Sequence, residues 1–242
     1  MKSLLALLLV ATVCPAEKGD RVLPPPESRI YHGVYPGGVS GEEDDLAPKD
    51  VDAYEEHVGA RVAWVYFSHN WYAGRAFPRK TAEWIRERGS VPFIRLMLRS
   101  SAEQDVEEPE FTVERIGDGD FDDDLTEWAR DAKGFGTPLL VEWGTEMNGE
   151  WFSWNGKRHG GGDCAEFGDP KRPDGPERFA AAYRRIVETM RRAGADNLTW
   201  VFHVNANDAP EEEWNRFEEY YPGDDVVDWV GISAYGPQLT SD

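Results

Sequence analysis

The stretch "LLVEWGTEMNGEWFSWNG", residues 139–156, ends an apolar run in one glutamate, Glu146, followed by the turn Asn148-Gly149 and a loop carrying Trp151 and Trp154. A carboxylic acid at a strand exit can protonate a leaving oxygen. A glycosidase needs that acid together with a second carboxylate across the sugar ring. Indole rings suit the same task, because the C–H faces of sugars pack on flat aromatic surface. An ordinary reading stands beside this one, in which Glu146 is a solvated loop acid at a strand end.

Other chemistries find less support. The five histidines are scattered, with no His-x-x-x-His or His-Cys pairing, so no metal centre is expected. No Gly-x-Ser-x-Gly elbow is present for a serine nucleophile. The acidic run "DGDFDDD", residues 118–124, lacks the glycine and terminal glutamate of a calcium loop. No cofactor is expected.

Residues around Glu146 divide into core and site candidates. Trp143 lies on the strand and reads as core, whereas Trp151 and Trp154 sit in a Gly/Asn-rich loop where at least one is expected to be a sugar platform. His69 and Trp71 fall just past another apolar run, where a site wall would stand, and His203 near a strand end is either a wall histidine or a sugar contact. Arg95 and Arg99 read as ion-pair partners in an acidic protein.

The elements that must position these residues are short apolar or β-branched runs at 29–35, 61–67, 91–98, 137–143, 198–204 and 226–235. Most are continuous rather than alternating, as in strands covered on both faces. Helical stretches lie between several of them. The clearest is "GPERFAAAYRRIVETMRRAGA", with Pro176 suited to a first turn, Phe179, Tyr183, Ile186, Val187 and Met190 on one stripe, and Gly194 as the stop. Alternating strand and helix indicates an α/β fold. The segment after the first run matches no nucleotide-binding loop, and polar or aromatic residues follow strand after strand, as in "SHNW", "GTEMNGEWF" and "NAND". Barrel enzymes build their sites at those carboxyl ends. The expected fold is therefore a (β/α)8 TIM barrel with about six β/α units present.

Composition bounds the rest. With 46 acidic against 26 basic residues the formal charge is −20 and nothing basic clusters, so neither nucleic acid nor an anionic membrane is expected as a partner. "MKSLLALLLVATVCPA" reads as a secretory signal over residues 1–16, too short in its apolar run to span a bilayer, and the bulky Val13 argues against lipidation of Cys14. Residues 17–28 then form a proline-rich linker, and 29–242 a catalytic domain. Past the signal only Cys164 remains, so no internal disulfide is available. A secreted monomer is expected.

The stretch 144–154 resembles the fourth-strand motif of glycoside hydrolase family 26, the endo-β-mannanase family of (β/α)8 barrels, in which His-Glu-Met-Asn-Gly is followed by Trp-Phe and a further Trp. Further likeness runs through residues 121–154, 175–205 and 220–236, so the resemblance covers roughly 30–238. It implies a retaining hydrolase of β-linked polysaccharide, β-1,4-mannan foremost, with Glu146 as general acid/base. It implies that Trp151 lines the sugar site, that Thr145, Asn148 and Trp154 belong to the same substrate-binding motif, and that Tyr235 holds the nucleophile's carboxylate. Thr145 departs from the family's histidine, which keeps β-glucan or β-xylan open as substrates, and Glu142 stands where arginine is common, which changes the charge at the barrel interior; a non-catalytic carbohydrate-binding protein that reuses the site is the alternative of another class. The family's nucleophile follows a seventh strand, which the resemblance places beyond Asp242. Glu142 is no substitute, because four strand residues separate it from Glu146 by about 13 Å, where a retaining pair stands about 5–5.5 Å apart.

Overall fold

The computed structural model describes residues 21–37 and 44–235. The expected signal segment 1–16, with Cys14, lies outside them, as do residues 17–20 of the linker.

Six strands form one sheet in the order β1 to β6, each pairing in parallel with its neighbour in sequence. They are β1 (Gly33–Val34), β2 (Trp64–Asn70), β3 (Val91–Met97), β4 (Leu139–Trp143), β5 (Leu198–Asn205) and β6 (Trp229–Ser233). The crossovers carry α1 (Pro48–Val58), α2 (Arg79–Glu87), α3 (Val113–Asp118) with α4 (Asp122–Phe135), and α5 (Asp174–Arg192); short 3₁₀ turns join β5 to β6. Strictly sequential order leaves no switch point of the kind that defines a doubly wound sheet. Curling does the rest: Tyr31, two residues before β1, stacks on Trp229 of β6 at 6.3 Å, and Trp64 of β2 meets the same indole at 6.2 Å. The sheet is the curled part of a (β/α)8 barrel, as the sequence implied.

Side chains alternate between the two faces of each strand. Outward residues pack on the helices: Trp143 stacks on Phe179 of α5 at 5.1 Å, and Trp200 and Phe202 meet Tyr183 of the same helix. The α5 stripe Phe179, Tyr183, Ile186, Val187 and Met190 is fully buried, as its spacing predicted. Acids at the start of α4 favour the helix dipole and are bound by arginines: Asp122 takes Arg185 at 2.5 Å and Asp124 takes Arg75 at 2.7 Å. On β6 the outward Val230 and Ile232 stay 58% and 61% exposed.

Alternation also settles two candidate residues. On β2 the even-numbered Tyr66 reaches into the barrel, while His69, of opposite parity, is buried beside Trp128 of α4, whose Nε1 lies 3.4 Å from its Nδ1. Trp71 packs with Phe111 and Phe121 in the core. Both expected wall residues therefore face the helix layer, away from the barrel interior. The proline-rich segment, from Arg21, lies against the barrel floor: Arg21 pairs with Asp228 at 2.5 Å and the Val22 N–H donates to Thr199 Oγ1 at 2.8 Å.

Burial sets the charge of His69. Desolvation lowers its pKa to about 4, against hydrogen bonds to the backbone of Ala76 and Gly74 that act the other way. A base whose folded pKa is depressed binds fewer protons than in the unfolded chain, so stability falls as pH drops from 6.5 towards 4. The loss is up to about 3 kcal/mol at 1.36 kcal/mol per unit. Urea unfolding at pH 6.5 and pH 4.5 checks this: His69→Gln is expected to flatten the decline, and an unchanged decline would assign the acid sensitivity elsewhere.

Candidate active site

β4 delivers the chain to the carboxyl end of the sheet, and Gly144 turns it there with φ +70°. A Cβ at Gly144 would stand 2.3 Å from the Phe179 ring, so both the turn and the close packing need glycine. Two residues on, Glu146 itself adopts φ +54°, a left-handed conformation that costs a non-glycine residue on the order of 1 kcal/mol or more. Hydrogen bonds hold it in place. Its N–H donates to the His203 carbonyl on β5 at 2.8 Å, and its carbonyl accepts the Gly149 N–H at 2.9 Å.

The side chain of Glu146 is also hydrogen-bonded. Glu146 is 8% exposed; Trp151 Nε1 donates to Oε2 at 2.7 Å and the Tyr235 hydroxyl to Oε1 at 3.3 Å. Trp151 can fold back in this way because Gly149 has no side chain, a Cβ there falling 2.3 Å from the indole. Burial and the Glu146 charge raise the Tyr235 phenol, which keeps it a proton donor. An acid gripped by two donors at the carboxyl end of a barrel strand can exchange a proton with a bound ligand without losing its orientation.

Beneath Glu146 lies a buried ionic cluster. Glu142 on β4 is 0% exposed; Tyr66 donates to its Oε1 at 2.7 Å, His203 Nδ1 to its Oε2 at 2.8 Å, and Arg95 Nε stands 3.9 Å away. Burial alone would raise the Glu142 pKa, but the His203 charge and hydrogen bond, with Arg95 and Tyr66, outweigh it and hold the group below the usual carboxylate value. Burial likewise lowers His203, and Glu142 more than reverses that, with the Glu146 charge assisting. The signs define a window. Glu142 stabilises above pH 4.5 and loses this as pH falls through its lower folded value, and His203 stabilises below pH 6.5 and loses this as pH rises through its higher one.

A cleft of about 510 Å³ opens between the loops that follow β3 and β4, lined in part by Asp105, Glu108, Glu150, Lys157 and Arg158. Glu146 does not line it. Its charges are largely paired, Asp105 with Arg158 at 2.6 Å and Glu150 with Lys157 at 2.7 Å, which makes it a solvated charged face beside the acid.

The family model described as Glycosyl hydrolase family 26 matches residues 110–242, more than half of the chain and all of the elements that carry Glu146, Trp151 and His203. The chain belongs to glycosyl hydrolase family 26. Among curated relatives, endoglucanase H of Acetivibrio thermocellus is 27% identical over 186 residues, covering 76% of this chain and 18% of that protein. A mannan endo-1,4-beta-mannosidase of Bacillus subtilis is 35% identical over 91 residues, covering 37% of this chain and 21% of that protein. A solved Bacillus subtilis mannanase superposes with a TM-score of 0.58 at 19% identity, over 79% of this chain and 60% of that one, a likeness of fold. The chain thus spans less than two thirds of each of these relatives.

Within this family 26 chain the sequence-derived candidates fall into two sets. Glu146, Trp151, Tyr235, His203 and Thr145 converge, but Thr145 is buried and its hydroxyl lies 3.0 Å from His203 Nδ1, turned to the histidine rather than outward. Tyr235, expected on a nucleophile, reaches Glu146 instead. Asn148 is fully buried and its side chain is spent within the protein: Nδ2 donates to the Asn205 carbonyl and to Asp208, and Oδ1 accepts the Asn205 N–H. It pins the β4 loop to the β5 loop. Trp154 is 2% exposed, stacked on Phe152 at 4.7 Å with Nε1 donating to the Thr145 carbonyl, so it supports the turn from below. His69 and Trp71 stand apart in the helix layer. Tyr66 and Ser233, which join the site's interior, were not singled out from sequence; inward parity on β2 and β6 was the available signal.

Proposed function

We propose that this family 26 chain belongs to a retaining hydrolase of β-linked polysaccharide, with β-1,4-mannan as the foremost substrate and Glu146 as general acid/base. The observation that carries the reading is the Glu146 carboxyl, held at the end of β4 by the Trp151 indole and the Tyr235 phenol. In this mechanism Glu146 gives its proton to the glycosidic oxygen while a second carboxylate attacks the anomeric carbon, forming a covalent glycosyl intermediate and releasing the leaving sugar. Glu146 then takes a proton from water, which displaces the enzyme carboxylate with net retention. Trp151 carries both its hydrogen bond to the acid and an indole face for the sugar.

The second carboxylate is proposed to come from outside these 242 residues. Among the described residues, the side chains bonded to the Glu146 carboxylate are an indole and a phenol, and Glu142 is committed to Tyr66 and His203 below it. The 242-residue chain alone is therefore expected not to hydrolyse mannan; release of reducing sugar at a rate typical of a whole glycosidase would refute the missing-nucleophile argument. Secretion, directed by residues 1–16, and a monomeric state without cofactor complete the proposal.

A β-glucan substrate is the second reading. It is favoured by Thr145, turned to His203 where the family motif has a histidine, and by the likeness to an endoglucanase over 76% of the chain. Hydrolysis of β-mannan, β-glucan and xylan compared side by side, with the protein carrying the complete barrel, decides between them.

A further inference from the structure

We propose that His203 is a positioning residue for Glu146, a buried imidazolium that ties together the acid's strand, its turn and the neighbouring strand, and presents positive charge beneath the carboxylate. The inference rests on the reading of Glu146 as the acid/base.

Connectivity is the first support. From the middle of β5, the His203 ring touches Glu142 of β4 at 2.8 Å, the Thr145 hydroxyl at 3.0 Å and the Ser233 hydroxyl of β6 at 2.9 Å. Its main-chain carbonyl accepts the N–H of Glu146, whose left-handed backbone depends on such a bond. Ser233 in turn lies two residues before Tyr235, the donor to Glu146 Oε1.

Charge is the second. Glu142 is fully enclosed, and a buried carboxylate without a counter-charge costs several kcal/mol. The groups that meet it are the Tyr66 hydroxyl, Arg95 at 3.9 Å and His203. His203 Nδ1 faces a carboxylate oxygen, so it carries a proton; Nε2 faces a hydroxyl, which can accept one as well. Both nitrogens can donate at once only in the imidazolium. The upward shift of His203 under the Glu142 and Glu146 charges agrees with this. The Glu146 charge also bears on His203, acting in the same direction as Glu142. A histidine kept only for packing would carry no positive charge.

Two NMR measurements on the 242-residue chain test the proposal, and neither needs turnover. Side-chain ¹⁵N signals, assigned with His203→Gln, are expected to show both His203 ring nitrogens protonated beyond pH 6.5, with the midpoint falling by about one unit or more in Glu142→Gln. The Trp151 indole proton reports its carboxylate partner. Its chemical shift at pH 6.5 is expected to move in the double variant Glu142→Gln/His203→Gln, whose neutral amides preserve the packing if a single variant fails to fold. A His203 midpoint at or below 6.5, or an indole signal that does not move in the folded double variant, would overturn the proposal. Failure of the hydrolase reading would show instead as unchanged sugar turnover on loss of Glu146, so the two are separable.

Discussion

Replacing Glu146 with alanine, in the protein that carries the complete barrel, is expected to lower turnover of its β-glycan by roughly 10²–10⁴-fold, the usual worth of a general acid/base. That is about 3–5 kcal/mol of barrier at 1.36 kcal/mol per decade. Sugar binding, measured calorimetrically with the same oligosaccharide, is expected to change little, because Trp151 keeps its indole face. Alanine is the better replacement than glutamine. A glutamine amide could keep both contacts, its oxygen accepting from Trp151 and its NH₂ donating to the Tyr235 hydroxyl, whereas alanine removes the group altogether and leaves room for a small nucleophile. Glu150→Ala serves as the control, since Glu150 pairs with Lys157 at the surface. Equal losses in both variants would remove Glu146 from its special role.

The second large effect concerns stability. Glu142→Leu removes the carboxylate that His203 meets at 2.8 Å and Arg95 at 3.9 Å, and breaking a buried pair by removing one partner costs about 3–5 kcal/mol. For a domain of this size the midpoint of thermal unfolding is expected to fall on the order of 10 °C. Neutralising both members of the closer pair, as in Glu142→Gln/His203→Gln, is expected to cost no more than about 2 kcal/mol, because the amides still bond and neither charge of that pair is left unmatched. Urea unfolding of the two variants beside the parent protein measures the contrast. A Glu142→Leu protein as stable as the parent would mean that the cluster is solvated or uncharged.

The strand grammar and the turn that carries Glu146 were legible in the sequence because each is a local signal. Continuous apolar runs located all six strands, although only Gly33–Val34 of the run 29–35 pairs, and β2 begins at Trp64 rather than at residue 61. The α5 stripe and the Gly144 to Trp154 motif lie in contiguous sequence, and both were read correctly as a buried face and a turn carrying an acid. The misplaced residues share a different property. His69 lies near the end of β2 and Trp71 just past it, in a stretch buried on both sides, so hydropathy could not distinguish the face that looks inward from the face that meets the helices. Only pairing fixed the parity. The same ambiguity hid Tyr66, whose hydroxyl meets Glu142 76 residues away, and Ser233, which meets His203 from β6. The short helix α3 was also missed, its six residues being too few to show an apolar period.

Thr145 carries the remaining lesson. Its place in the motif implied a substrate contact, whereas its neighbours turn it towards His203. The chemistry of a residue is set by its type, but its target is set by the partner that folding places beside it.

The central claim, that Glu146 is the acid/base of a retaining family 26 glycosidase, is tested most directly by chemical rescue in the protein carrying the complete barrel. An aryl β-mannoside with a good leaving group needs no protonation, so Glu146→Ala should still form the covalent intermediate and then stall for want of a base. Azide, which needs none, should restore turnover and yield a β-glycosyl azide, identified by NMR. No rescue, or an α-configured azide, would contradict the account.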